Sequence, residues 1–233
     1  FMSMTGEPDG PPVRFGLSLG DFHTGSIMAT ALLAGLLGAS RTGEGCDLDV
    51  CLFDTALHQL SYPATWYLNQ GHVTGRLPRG AHPSIAPSQL VRTGDGWGLL
   101  MCQTPKFWQL WCQLTGADLG QDARFARIPA RRENLSALSD AVDAVMQTKT
   151  TAEWVEILGG SVPFAPVLDI GQALDSDYVQ HVEMTANVDH PEASSGVRTL
   201  ASPFRVNGER PKLTRAPKMG EHSDELLPED TPA

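Results

Sequence analysis

Asp21 is the residue of this chain best placed to do chemistry. It lies in Gly16-Leu-Ser-Leu-Gly-Asp21-Phe-His-Thr-Gly25, between a short apolar alternation (Phe15, Leu17, Leu19) and a long apolar run over residues 26–39. An element's end is where a fold presents a reactive group, and backbone N–H groups at the start of a helix favour the ionised form of a carboxylate held there. The same placement suits an N-cap, and on these ten residues alone capping is the simpler reading. Arg76 and Arg79, in the glycine-dense stretch 69–80, are candidates to meet a phosphate or a carboxylate, against the plainer account of solvated linker charges. His82 opens the Pro-flanked loop His82-Pro83-Ser-Ile-Ala-Pro87, where packing and ligand contact weigh about equally. Asp95 reads as the turn residue of a hairpin. The seven histidines show no metal-ligand spacing, so no metal site is expected.

The elements that must position these groups follow from periodicity. Ile27, Met28, Ala31, Leu32 and Leu36 fall at helical spacing. That helix should end near Ser40, where Arg41-Thr-Gly-Glu-Gly45 supplies a stop. Its small residues (Ala29, Ala31, Ala34, Gly35, Gly38, Ala39) mark a buried packing helix. Residues 47–51 alternate like a short strand, and 53–68 read as a second helix with Asp54 near its start. A linker and domain boundary then fall at 69–80. Residues 88–93, Gly94-Asp95-Gly96 and 97–102 predict a β-hairpin. Pro105 begins a helix whose Phe107, Trp108, Leu110 and Trp111 are core, and 131–146 form a third amphipathic helix. Thr150 and Glu153 make a capping box for a fourth, which Gly159-Gly160 ends. A Pro-interrupted strand (162–167), a short helix begun by Asp169 and Gln172, and strands at 184–188 and 197–200 follow. The tail from Pro203 is rich in proline and charge, and the residues after Leu227 are expected to be disordered.

Composition narrows the function. The chain has 233 residues, 41% of them hydrophobic, enough for a sizeable core. No stretch is expected to be long and apolar enough to cross a bilayer, the run 26–39 being too short and too rich in Gly and Ala. A formal charge of −10 with no basic cluster argues against nucleic-acid binding. Cys46, Cys51, Cys102 and Cys112 form no C-x-x-C pair and read as reduced, buried thiols of a cytoplasmic protein. The opening Phe1-Met-Ser-Met is neither an initiator methionine nor a signal peptide, and reads as the middle of a longer chain.

With these segments placed, the sequence resembles the family III CoA-transferases, with the α-methylacyl-CoA racemases as an offshoot. The matching residues are Gly20-Asp21 with Thr24-Gly25 and the small-residue helix, Arg41-Thr-Gly-Glu-Gly45, Phe53-Asp54, His82 to Pro87, and Asp95-Gly96. They continue with Asp122-Ala-Arg124-Phe125, Arg131-Arg132-Glu-Asn134, Glu153-Trp154, Val162-Pro163, Pro166-Val167, Ala216-Pro217 and Gly220-Glu221-His222. None is specific alone; in this order and spacing the set is hard to reach by chance. The resemblance implies that Asp21 is a nucleophile, passing through an acyl anhydride and an aspartyl-CoA thioester. It implies a coenzyme A thioester and a carboxylic acid as substrates, with no permanently bound cofactor; the segment before Asp21 suggests a small dicarboxylate as the acid.

The resemblance also sets an architecture. It implies an α/β fold in which residues 1–80 are the remainder of a Rossmann-like large domain, 81–200 a smaller α+β domain, and 201–233 a return to the large domain. Most contacts to the CoA nucleotide would come from a segment upstream of Phe1, and the chain would act as an interlocked homodimer or with a partner supplying that N-terminal half. Two other functions fit the same residues: epimerisation of an α-methylacyl-CoA, with a histidine upstream of Phe1 as the partner of Asp21, or a non-catalytic fragment or subunit. Members often carry an aromatic residue where this chain has Ser88, which alters the acyl pocket. Glu221 and His222 read as structural or as lying at the cofactor's edge.

Overall fold

A computed structural model of the protein describes residues 1–227. The fold is mixed α/β, with helices and two small antiparallel sheets. Within-chain contacts group the residues into two compact units, Phe1–Val167 and Leu168–Ala233. The expected disorder after Leu227 concerns residues outside those described.

In the first unit, helix α1 (Leu19–Thr42) follows Ser18 and ends at Gly43, whose left-handed φ of 77° lets its N–H reach the Ala39 carbonyl at 2.8 Å. The apolar alternation before Asp21 forms no strand; Leu19 already belongs to the helix. The helix is thus longer than the run 26–39. With 24 residues and an 18-residue window of mean hydropathy 1.4, it is long and apolar enough by length and composition to cross a bilayer, which corrects the expectation from composition. It also buries no residue among those described, contrary to the buried packing helix expected, and Leu33 and Leu36 stand more than two-thirds exposed.

Residues 47–51 pair with no strand among the described residues. The second expected helix is two, α2 (Leu52–Gln59) and α3 (Ser61–Gln70). Pro63 explains the break: its ring has no N–H to donate and collides with the carbonyl four residues back, so the chain turns at Ser61, φ 50°.

The stretch 69–80 is no loose linker. Arg76 donates to the carbonyls of Glu7 (3.0 Å), Pro8 (3.2 Å) and Gly10 (2.8 Å), fastening it to the N-terminal loop. Beyond it, β1 (Ser88–Arg92) and β2 (Trp97–Met101) form the expected hairpin, with Ser88 opposite Met101 and Arg92 opposite Trp97. β3 (Phe164–Pro166) pairs antiparallel on the far side of β2, with Gly98 facing Pro166. At Gly98 a Cβ would collide with the Phe164 ring, so glycine is required there.

Helices α4 (Pro105–Thr115), α5 (Ile128–Glu133), α6 (Leu135–Met146) and α7 (Thr151–Leu158) complete this unit. The single helix expected over 131–146 is broken at Asn134, and the Thr150–Glu153 capping box is present. The core lies here: Trp108, Trp111, Trp154, Phe125, Leu138 and Met146 are buried, with the Trp108 and Trp111 rings stacked at 5.2 Å. Arg131, only 1% exposed, donates to the Ala86 (2.6 Å) and Phe125 (2.7 Å) carbonyls and lies over Trp108, tying the His82–Pro87 loop to the core.

The second unit holds α8 (Ile170–Leu174), begun by an Asp169–Gln172 capping box, α9 (Asp177–His181), which periodicity does not reveal, and the hairpin β4 (Thr185–His190) with β5 (Ala193–Leu200). Four residues form α10 (Ser223–Leu226).

Candidate active site

Asp21 occupies the first turn of α1, three residues after Ser18. It does not cap the helix: Ser18 holds the N-cap position, and the Asp21 carboxylate accepts no hydrogen bond among the described residues. It is exposed, beside the helix N–H groups that favour negative charge. Asp21 lines a cavity of about 400 Å³ whose walls include the apolar Phe1, Met4, Phe15 and Leu17, the polar Thr5 and Ser18, and Arg14. Capping and catalysis were the two readings of this residue; the geometry leaves the first without a hydrogen bond.

Arg76, Arg79 and His82 lie elsewhere. Arg76 and His82 line a second cavity of about 530 Å³, with His72, Thr74, Arg132 and Glu133. Nε and Nη2 of Arg76 donate to backbone carbonyls. Arg79 is paired, its Nε 2.9 Å from Asp143 and its Nη2 3.3 Å from Asp140, while its backbone N–H donates to Glu7 at 3.0 Å. Asp143 and its neighbours hold the Arg79 guanidinium firmly charged, raising its pKa. Both arginines thus have acceptors within the chain.

His82 is set by its surroundings. Its Nδ1 accepts from the Ser84 N–H at 3.2 Å and its Nε2 lies 3.1 Å from the Tyr62 hydroxyl. With Nδ1 accepting, the neutral ring carries its proton on Nε2 and donates to Tyr62. Burial pushes the His82 pKa below the ordinary histidine value, which keeps the ring neutral. Ser88, where an aromatic residue is common in the resembling family, is buried at the start of β1 and its carbonyl accepts from the His82 N–H at 2.8 Å.

Other sequence candidates resolve into structural roles. Asp95 does more than turn its hairpin: its Oδ1 accepts from the Thr151 N–H (2.7 Å) and hydroxyl (2.8 Å), and those bonds lower its pKa. It therefore ties the hairpin to the start of α7. Glu221 pairs with Arg215 and accepts from the Lys218 N–H at 2.7 Å, and its pKa falls to about 2. Of the cysteines, Cys102 is buried and Cys112 half-buried, but Cys46 and Cys51 are exposed, correcting the expectation of four buried thiols. Burial pushes Cys102 up to about 12 and Cys112 to about 11, so neither is a thiolate at neutral pH. Among the described residues no three His, Cys, Asp or Glu side chains cluster as a metal-ligand set.

Arg14 went unremarked in the sequence. Nothing in its local pattern separates it from a solvated loop arginine; only the folded loop brings it to the wall of the Asp21 cavity.

The site is thus an exposed first-turn carboxylate at the wall of a cavity, in a mixed α/β chain. The particular family is plain from comparison. Residues 1–223 match the model of CoA-transferase family III, and the chain belongs to that family. It is 31% identical over 240 residues to a succinate–glutarate CoA-transferase of Agrobacterium fabrum, covering 98% of this chain and 58% of that protein. It is 28% identical over 235 residues to a succinyl-CoA:mesaconate CoA-transferase of Haloarcula marismortui, covering 98% of this chain and 57% of that protein. Among solved structures, Rv3272 from M. tuberculosis aligns with a TM-score of 0.82 at 26% identity, over 97% of this chain and 60% of that one. A CAIB/BAIF family protein from Brucella suis aligns with a TM-score of 0.76 at 30% identity, over 97% and 58%. The chain thus spans less than two-thirds of the length of these relatives.

Proposed function

We propose that this chain carries the nucleophile of a CoA-transferase, and that Asp21 is that nucleophile. The observation that carries the reading is the Asp21 carboxylate itself: in the first turn of α1, bonded to no other group of the described chain, and facing a cavity. In the first step an Asp21 oxygen bonds to the acyl carbon of the thioester, and the C–S electron pair leaves with the CoA thiolate. The thiolate then attacks the aspartyl carbonyl of the anhydride, the donor acid departs as a carboxylate, and Asp21 is left as its CoA thioester. The acceptor carboxylate attacks that thioester and expels the thiolate again. The thiolate takes the acceptor acyl group, restoring the Asp21 carboxylate. Each bond made is matched by one broken and no proton moves, so a carboxylate needs no general base here.

The names of the relatives, which transfer CoA among succinate, glutarate and mesaconate, support a small dicarboxylic acid as acceptor. Of the three residues first considered for cofactor contact, His82 keeps that role in this reading, at the edge of its cavity. Arg76 and Arg79 serve to fasten the chain. Residues 1–80 belong in this reading to a large domain, 81–200 to a small one, and the segment from 201 returns to the large one. The assembly is an interlocked homodimer or a complex with a chain supplying the nucleotide-binding half, in the cytoplasm, without nucleic-acid or membrane partners. The exposed Leu33, Leu36, Phe53 and Leu68 support a cover for α1 to α3 in that assembly. Light scattering that finds a monomer of the full gene product at micromolar concentration counts against it.

The chemistry is tested by trapping. The full product of the gene is incubated with succinyl-CoA, treated with hydroxylamine or borohydride, and mapped by peptide mass spectrometry. Modification or reduction at Asp21 alone is expected; unmodified Asp21 under turnover overturns the proposal.

A further inference from the structure

We propose that Arg14 is the specificity-determining residue for dicarboxylic substrates, holding the carboxylate remote from the one that reacts at Asp21. The inference rests on the reading of Asp21 as nucleophile and adds to it the group that reads the other end of the substrate.

The cavity beside Asp21 is walled by apolar side chains, among them Phe1, Met4, Phe15 and Leu17, and Arg14 is the cation in its lining. Arg14 makes no hydrogen bond or ion pair among the described residues. That sets it apart from Arg76 and Arg79, whose guanidinium groups bond to acceptors of the chain. A guanidinium presents a planar fork of N–H donors that matches a carboxylate in two parallel bonds. At the step where the acceptor enters, Asp21 is a neutral thioester and does not repel the incoming acid. A dicarboxylate can then place one carboxylate at the thioester carbon and the other on Arg14. A monocarboxylic acid that lacks the second carboxylate, as butyrate does beside glutarate, leaves the Arg14 donors without that acceptor, and a site built around a charged donor discriminates against such an analogue.

Two measurements test this. In the full gene product, acceptor kinetics with glutarate and butyrate are compared for the parent, Arg14→Gln and Arg14→Lys. Losing a charge-assisted pair should lower the ratio of kcat/KM for glutarate to that for butyrate roughly ten- to a hundredfold in Arg14→Gln. Arg14→Lys, which keeps the charge but not the fork, should fall between. An unchanged ratio overturns the proposal, as does a rise in KM for the acyl-CoA with the acceptor ratio intact, which would assign Arg14 to a CoA phosphate. The second measurement needs no turnover: calorimetric titration of glutarate and butyrate into the Asp21→Asn chain, with and without Arg14→Gln. Preference for glutarate that vanishes with Arg14→Gln is expected; equal affinities without that substitution overturn the assignment. If no transfer occurs in the parent but the titration shows the preference, the CoA-transfer reading has failed and the carboxylate site stands.

Discussion

Replacing Arg79 separates fastening from ligand binding. Its guanidinium meets Asp143 at 2.9 Å, and the Asp143 side chain is 6% exposed against 29% for Arg79. The other oxygen of Asp143 accepts from the Arg92 N–H at 2.8 Å, so this one carboxylate joins the 78–80 turn, β1 and α6. Removing one member of a fully buried pair costs about 3–5 kcal/mol. Arg79 keeps nearly a third of its side-chain surface, and Arg92 still serves Asp143, so about 1–3 kcal/mol is the expected loss for Arg79→Ala. At about 2–4 °C per kcal/mol for a protein of this size, the midpoint of thermal unfolding should fall by roughly 2–12 °C. Asp143→Asn should cost a similar amount, because an amide cannot accept from both Arg92 and Arg79 without turning a donor on one of them. Circular dichroism melts of both single variants and the double variant give the coupling, expected at about 1 kcal/mol. An Arg79→Ala protein that melts with the parent, or a coupling near zero, refutes the fastening role and reopens Arg79 as a ligand contact.

Further outcomes follow from the same geometry. His82 should titrate below the ordinary histidine range when followed by NMR. Its folded value lies under the unfolded one, so the unfolded chain takes up the proton first. His82 therefore contributes stability at neutral pH that is lost as pH falls from the ordinary histidine value through the folded one; a midpoint at or above 6.5 contradicts this. Iodoacetamide at neutral pH should label the exposed Cys46 and Cys51 in the folded protein and spare Cys102 and Cys112 until denaturant is added; rapid native labelling of Cys102 would count against its burial.

What could be read in advance was local. The hairpin at Gly94-Asp95-Gly96, the start of α4 at Pro105 and the capping boxes at Thr150–Glu153 and Asp169–Gln172 each depend on residues a few positions apart. The two missed breaks also had local signals. Pro63 and Asn134 interrupt runs whose apolar periodicity continues through them, so periodicity alone reads straight across both breaks. Contacts between distant residues left no such mark. Asp95 with Thr151, Arg79 with Asp143 and Arg131 with Ala86 join residues 45 to 64 positions apart, and each turns a charged residue into a fastener. Asp21 was conspicuous from its setting, yet its chemistry came from the family resemblance. Position within the helix distinguished it from a cap only once the start at Leu19 was fixed.

The central claim is that Asp21 reacts covalently, and one substitution tests it most directly. Asp21→Asn keeps the side chain's size and abolishes the anhydride. Because Asp21 accepts no cap hydrogen bond, the change should cost only the charge–helix interaction, about 0.3–1 kcal/mol. The same small cost is expected for Asp21→Ala, in place of the 0.5–2 kcal/mol a true N-cap would lose. The measurement is CoA transfer from succinyl-CoA to glutarate by the full gene product, paired with its melting curve. The account predicts a fall in turnover of several orders of magnitude with a melting temperature within a few degrees of the parent. Near-normal transfer by the Asp21→Asn protein contradicts it.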